Sequence, residues 1–155
     1  MYQKDFVLFM IEQFARIVAV ILARISDGKF EEARLLMEQV YRQHLGLNSD
    51  LIQRLSHHTL LDLQRIHVEQ YDDRCVVLAA LLRMESKLAL ETGRREEAFA
   101  FLAQALRVLG DRAPGEGRPR DRGGDEQWQA IGQDLRANFG APENWPQPDL
   151  AALLN

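Results

Sequence analysis

The densest group of reactive side chains in this 155-residue chain is His67, Glu69, Asp72, Asp73 and Cys75. A histidine near a cysteine can hold the sulfur as a thiolate nucleophile, and three carboxylates can ligate a hard cation. The same residues have plainer uses. Cys75 falls on the helix face that carries Leu78 and Leu82, where a free thiol packs as a small apolar group. Asp72 and Asp73 fall at a helix start, where peptide dipoles favour negative charge. His57 and His58 are adjacent, so on a helix their side chains diverge by about 100°. His44 is remote from them in sequence, and no H-x-x-x-H or H-E-x-x-H aligns two ligands. Gly28-Lys29 is preceded by alanine, not glycine, at position 23, so it is no phosphate loop; no G-x-S-x-G occurs either. The expectation is no catalytic residue, no metal and no cofactor.

Composition narrows the partners. The chain has 19 basic and 23 acidic side chains, a net charge of -4, which leaves no basic excess for a nucleic-acid face. Cys75 is the single cysteine, so neither an internal disulfide nor a CxxC metal knuckle can form. The apolar runs Phe6 to Ile11 and Ile17 to Ala23 are interrupted by Glu12, Gln13 and Arg16 and closed by Arg24. Neither reaches the roughly 20 residues of a spanning helix, and Asp5 spoils a secretory start. A cytoplasmic protein with no nucleic-acid or membrane partner is expected.

The elements that must position these residues read as helices throughout. A long first helix is expected from Asp5 to Ile25, with a polar stripe of Glu12, Gln13, Arg16 and Arg24 and apolar residues over the rest. Phe9 and Val20 fall on that stripe. Ser26-Asp27-Gly28 is a stop signal. A second helix follows from Phe30 to His44. Asn48 or Ser49 and then Ser56 cap two short helices, the latter carrying Leu60, Leu61, Leu63 and Ile66. A fourth helix is expected from Asp72 to Thr92, and a fifth from Glu96 to Leu109 after Gly93. Residues 111–125 carry no large apolar side chain and read as a mobile linker between a helical domain, 1–110, and a C-terminal segment, 126–155. That segment holds an amphipathic helix with Trp128, Ile131 and Leu135, then Trp145 among Pro142, Pro146 and Pro148.

Two segments share one pattern: Gly28-Lys29-Phe30-Glu31-Glu32-Ala33, continuing to Met37, Val40 and Tyr41, and Gly93-Arg94-Arg95-Glu96-Glu97-Ala98, continuing to Leu102, Ala105 and Leu106. The pattern resembles the second half of a tetratricopeptide repeat, in which a glycine ends one helix and a small alanine lets the next cross closely. Leu82 and Ser86 match the preceding helix of the second unit, whereas Ile21 stands where the first unit should have a small residue. The two glycines are separated by nearly two repeats of about 34 residues, leaving a degenerate middle unit between Ser49 and Ile66. The opening Met1-Tyr2-Gln3-Lys4-Asp5-Phe6, with Met10-Ile11-Glu12-Gln13, also resembles the start of an uncharacterised family of small helical Firmicutes proteins, which implies a bacterial origin and no known activity.

Together these readings give an all-α fold, antiparallel helix pairs stacked as a short tetratricopeptide-like array. The resemblance implies a noncatalytic protein-interaction module binding a peptide or partner protein in a helical groove, with Arg83, Lys87 and Leu90 on the lining positions. Lys87 has a competing in-helix partner in Glu91. The alternative is a small-ligand or metal-responsive sensor, or a minor enzyme, built on the His67 to Cys75 cluster. A homodimer through Phe9 and Val20 is also expected, unless the C-terminal helix folds back over that strip.

Overall fold

The computed structural model describes residue 6, residues 8–112 and residues 122–154. Among them every regular element is helical and none is a strand. Packing separates the chain into two compact units, Met1–Arg74 and Cys75–Asn155.

In the first unit a π-helical turn, Phe9–Gln13, leads into α1, Phe14–Ser26. The end of α1 is a left-handed glycine cap. Gly28 has φ +75°, its N–H donates to Ile25 O at 3.1 Å, and Lys29 N–H donates to Arg24 O at 2.8 Å. Only a residue without Cβ adopts this φ at no steric cost. The chain reverses into α2, Phe30–Val40, which packs on α1 and opens with Glu31, Glu32 and the fully buried Ala33. A second π-helical turn, Tyr41–Leu45, extends α2 to Gly46 at φ +65°. α3, Ser49–Arg54, and α4, His57–Gln64, are short and side-chain capped. Asn48 Oδ1 accepts from Leu51 N–H at 2.9 Å, and Ser56 Oγ from Thr59 N–H at 3.2 Å. A 3-10 turn, Val68–Gln70, then leads into α5, Tyr71–Glu91, whose first four residues close the unit.

The second unit takes the rest of α5, then α6, Arg95–Asp111, α7, Arg122–Phe139, two 3-10 turns and α8, Ala151–Leu154. Its α5–α6 turn repeats the α1–α2 turn bond for bond. Gly93 has φ +78°, its N–H donates to Leu90 O at 3.2 Å, and Arg94 N–H donates to Ala89 O at 2.8 Å. Ala98 is fully buried like Ala33. Ser86 Oγ donates to Ala98 O at 2.8 Å, an interhelical bond that Ile21 of the first pair, buried and apolar, cannot make.

One open question is answered here and one expectation corrected. The C-terminal segment packs into the second unit. Trp128, Ile131, Leu135, Trp145 and Leu150 are all buried, Trp128 lies 3.6 Å from where a Cβ on Gly110 would stand, and Phe99 meets the Phe139 ring edge-on at 5.2 Å. Arg107 reaches Gln147 at 2.8 Å and Asp149 at 3.2 Å. The amphipathic pattern around Trp128 is therefore satisfied by α6. The expected linker, 111–125, lies mostly outside the described residues; at its edges α6 includes Asp111 and α7 begins at Arg122. Phe9 is the correction. It is 3% exposed, not part of a surface strip. The i→i+5 bonding of the π turn winds the chain more slowly than an α-helix, so projection at a constant angle misplaces Phe9.

Candidate functional site

The first unit holds a polar network in its interior. Arg74, on the first turn of α5, is 3% exposed and reaches three acceptors: its Nη1 donates to His44 O at 2.6 Å and to Gln64 Oε1 at 3.4 Å, and its Nε donates to Gln70 Oε1 at 3.1 Å. Gln64 is fully buried, and its Nε2 donates to Leu45 O at 3.3 Å. The carbonyls of His44 and Leu45 end the π-helical turn, where helix dipoles favour a cation. Two rings cover the network: Phe6 lies under the Arg74 guanidinium at 4.8 Å, and Phe9 stacks on the His44 imidazole at 3.6 Å and 17°. Burial, and then the charge of Arg74, hold the His44 pKa below its ordinary value.

The consequence lies one layer out. Gln64 and Gln70 bracket residues 65–69, so Arg74 grips both ends of that segment from beneath. Backbone bonds complete the frame: His67 N–H donates to Gln64 O at 3.1 Å and Gln70 N–H to His67 O at 3.0 Å. On the outer side the segment displays Ile66, 73% exposed, and Val68, 80% exposed, and Leu63, on the last turn of α4, is 37% exposed. These are large apolar side chains held in water by a pinned backbone. Arg65 pairs with Asp62, and its guanidinium stands 5.6 Å from the Tyr71 ring. His67, between the two prongs, has its pKa lowered by burial and by Arg74.

Comparison of the chain with known proteins adds no relative. No family model, no curated protein and no solved structure matches it. What the site can do therefore rests on its own geometry, and that geometry offers apolar contact area on a preorganised segment.

The residues singled out in the sequence lie as follows. Arg83 is held within the second unit, where its Nε and Nη2 reach the two Asp134 carboxylate oxygens at 2.5 and 3.3 Å. Its charge is thus met inside the chain, and Lys87 and Leu90 beside it are half-buried. Cys75 is fully buried, as its apolar helix face implied, so its sulfur is not presented to a substrate. His67, Glu69, Asp72 and Asp73 form no three-ligand group among the described residues. His57 and His58 stand with ring centres 4.0 Å apart, closer than the divergence expected of adjacent helical residues. Val20 is 40% exposed, as expected, but its supposed companion Phe9 is inside.

Ile66 was missed as a surface residue because it continues the helical spacing of Leu60 and Leu63. The helix stops at Gln64, and Ile66 falls in the turn beyond it. The available signal was the strict alternation of Arg65-Ile66-His67-Val68-Glu69, which no amphipathic helix produces.

Proposed function

We propose that the chain is a noncatalytic protein-interaction module, and that it takes a partner protein or peptide on the apolar edge formed by Leu63, Ile66 and Val68. One observation carries this reading: two of the most exposed large apolar side chains among the described residues sit two residues apart on a segment whose backbone is fixed by buried hydrogen bonds. Scattered exposed apolar residues are ordinary, but a contiguous group marks an interaction surface. Rigid display lowers the entropy lost on association. The docking surface moves from the expected Arg83–Lys87–Leu90 face to this edge because Asp134 already satisfies Arg83.

The repeated glycine-capped turns at Gly28 and Gly93 support a tetratricopeptide-like ancestry for the two helix pairs, and the opening residues support kinship with small helical Firmicutes proteins. On this reading the protein works in a bacterial cytoplasm. No helix among the described residues is long and apolar enough to cross a membrane. The sensor or enzyme reading has less behind it, since the Cys75 sulfur is fully buried.

The test is copurification from the native host with wild type and with Ile66→Glu, Val68→Glu. The reading expects a partner that the double variant loses while its thermal midpoint stays unchanged, since both positions are exposed. A partner retained by the double variant overturns the assignment of this edge.

A further inference from the structure

Two rings near the start of the first unit cover its polar network. Phe6, 3% exposed, lies 4.8 Å from the Arg74 guanidinium, and Phe9, also 3% exposed, stacks on the His44 imidazole at 3.6 Å. The two ring centres are 6.1 Å apart, and Phe6 meets the His44 ring edge-on at 6.5 Å. His44 therefore joins cover to network: its ring supports Phe9, and its carbonyl accepts from Arg74 at 2.6 Å. Arg74 in turn holds Gln64 and Gln70, at the two ends of the 65–69 segment. Phe9 and His44 each lie in a π-helical turn, a rare geometry that is frequent at functional sites.

We infer that the N-terminal turn is a latch on the 65–69 segment, and that protonation of His44 releases it. While the rings are seated, water is kept from Arg74, and its bonds to the two glutamines act at low dielectric, where they are strong. Once the rings lift, water competes for the guanidinium and the segment loses its hold. A proton on His44 starts that release by placing a second cation beside Arg74. The elements packed around the ring do not welcome the charge. The N-terminal turn presents the hydrocarbon of Phe6 and Phe9, α4 the neutral Gln64, and α5 the like charge of Arg74, with His67 facing the same guanidinium from the held segment. On α2, the acid Glu38 is engaged by Arg42 and by Ser49 N–H. The face of Phe9 attracts a cation, but burial and Arg74 prevail and hold the His44 pKa below its ordinary value. The latched form is therefore complete at neutral pH and is lost as pH falls below about 6.5. The consequence for binding rests on the docking role proposed for Leu63, Ile66 and Val68: a loosened edge must be ordered again on association, so mild acid weakens it.

Residue-resolved hydrogen exchange on the full chain, without any partner, tests the latch. The amides to watch are His67, which donates to Gln64 O, and Gln70, which donates to His67 O; Ala33, which donates to Lys29 O on α2, is the reference within the same unit. At neutral pH, Phe9→Ala should lower protection at positions 67 and 70 by about tenfold more than at Ala33. Phe9→Leu, which keeps the side chain apolar but removes the flat stack, should do the same to a smaller extent and serves if Phe9→Ala does not fold. Acidification should lower protection at 67 and 70 in wild type and in His67→Gln. It should not do so in His44→Phe, which keeps a ring on Phe9 that cannot take a proton. Protection at 67 and 70 unchanged in both Phe9 variants, protection lost equally at Ala33, or an acid effect that persists in His44→Phe each overturns the proposal. Failure of the edge to bind a partner would show in copurification and leave these exchange results standing, so the two failures are distinct.

Discussion

Arg74 does at the scale of one residue what a hydrophobic core does at the scale of a unit: it fixes segments distant in sequence. Its guanidinium joins the end of a π-helical turn to both ends of the displayed segment. Arg74→Met keeps most of the volume but leaves interior acceptors unpaired, at about 1–3 kcal/mol for each. The expected outcome is a loss of about 2–5 kcal/mol in denaturant unfolding, together with faster amide exchange at His67 and Gln70, whose N–H bonds frame the segment. His44 gives a second prediction. Its pKa and that of His67 are lowered in the folded protein, first by burial and then by Arg74. Below the ordinary histidine value of about 6.5, the unfolded chain therefore binds more protons than the folded one. Stability should be complete at neutral pH and fall as pH drops through this window. In thermal melts from neutral to mildly acid pH, His44→Gln should flatten that fall. An unchanged slope would remove His44 from the linkage.

At the scale of elements, much was legible in the sequence, and the failures have physical causes. The caps at Asn48 and Ser56 and the glycine stops at Gly28 and Gly93 were readable because each is a local event, set by one side chain or one φ angle. A Cβ at Gly28 or Gly93 would meet nothing within 4 Å. Alanine there should therefore cost only the backbone strain, about 1–2 kcal/mol each, measurable by chemical denaturation. A much larger loss would mean that the turns carry packing as well. The π-helical turns were not legible: one extra residue per turn leaves no compositional mark, and it displaced Phe9 from the expected polar stripe to the interior. The docking of α7 stayed open because a stretch poor in apolar residues stands between it and α6, and a composition break reads as a boundary whether or not the far side packs back. Since Trp128 and Trp145 are buried, Trp128→Ala should cost about 3–5 kcal/mol. A chain ending at Gly110 should lose the cooperative unfolding transition of the second unit. A sharp transition retained by the truncated chain would show that α7 is accessory.

At the scale of the whole molecule, three side chains suited to chemistry are committed to contacts within it: His44 is stacked on Phe9, Cys75 is buried and Arg83 is bound to Asp134. Apolar side chains that would ordinarily be inside, Ile66 and Val68 above all, stand in water on a fixed segment. That inversion is why a binding role is proposed and a catalytic one is not. The candidate site was half legible. The polar cluster from His67 to Cys75 drew attention to the right stretch of chain, but for its charges, whereas the feature that matters is the pair of apolar residues among them. Their exposure depends on where α4 stops, which apolar spacing alone does not fix. The most direct test is site-specific photo-cross-linking in the native host, with a light-activated residue placed at Ile66, at Val68 and, as an exposed control on the same unit, at Glu31. The account predicts one covalent adduct of discrete mass with another protein from positions 66 and 68, and none from position 31. No adduct at 66 and 68, or the same adduct from all three positions, would contradict it.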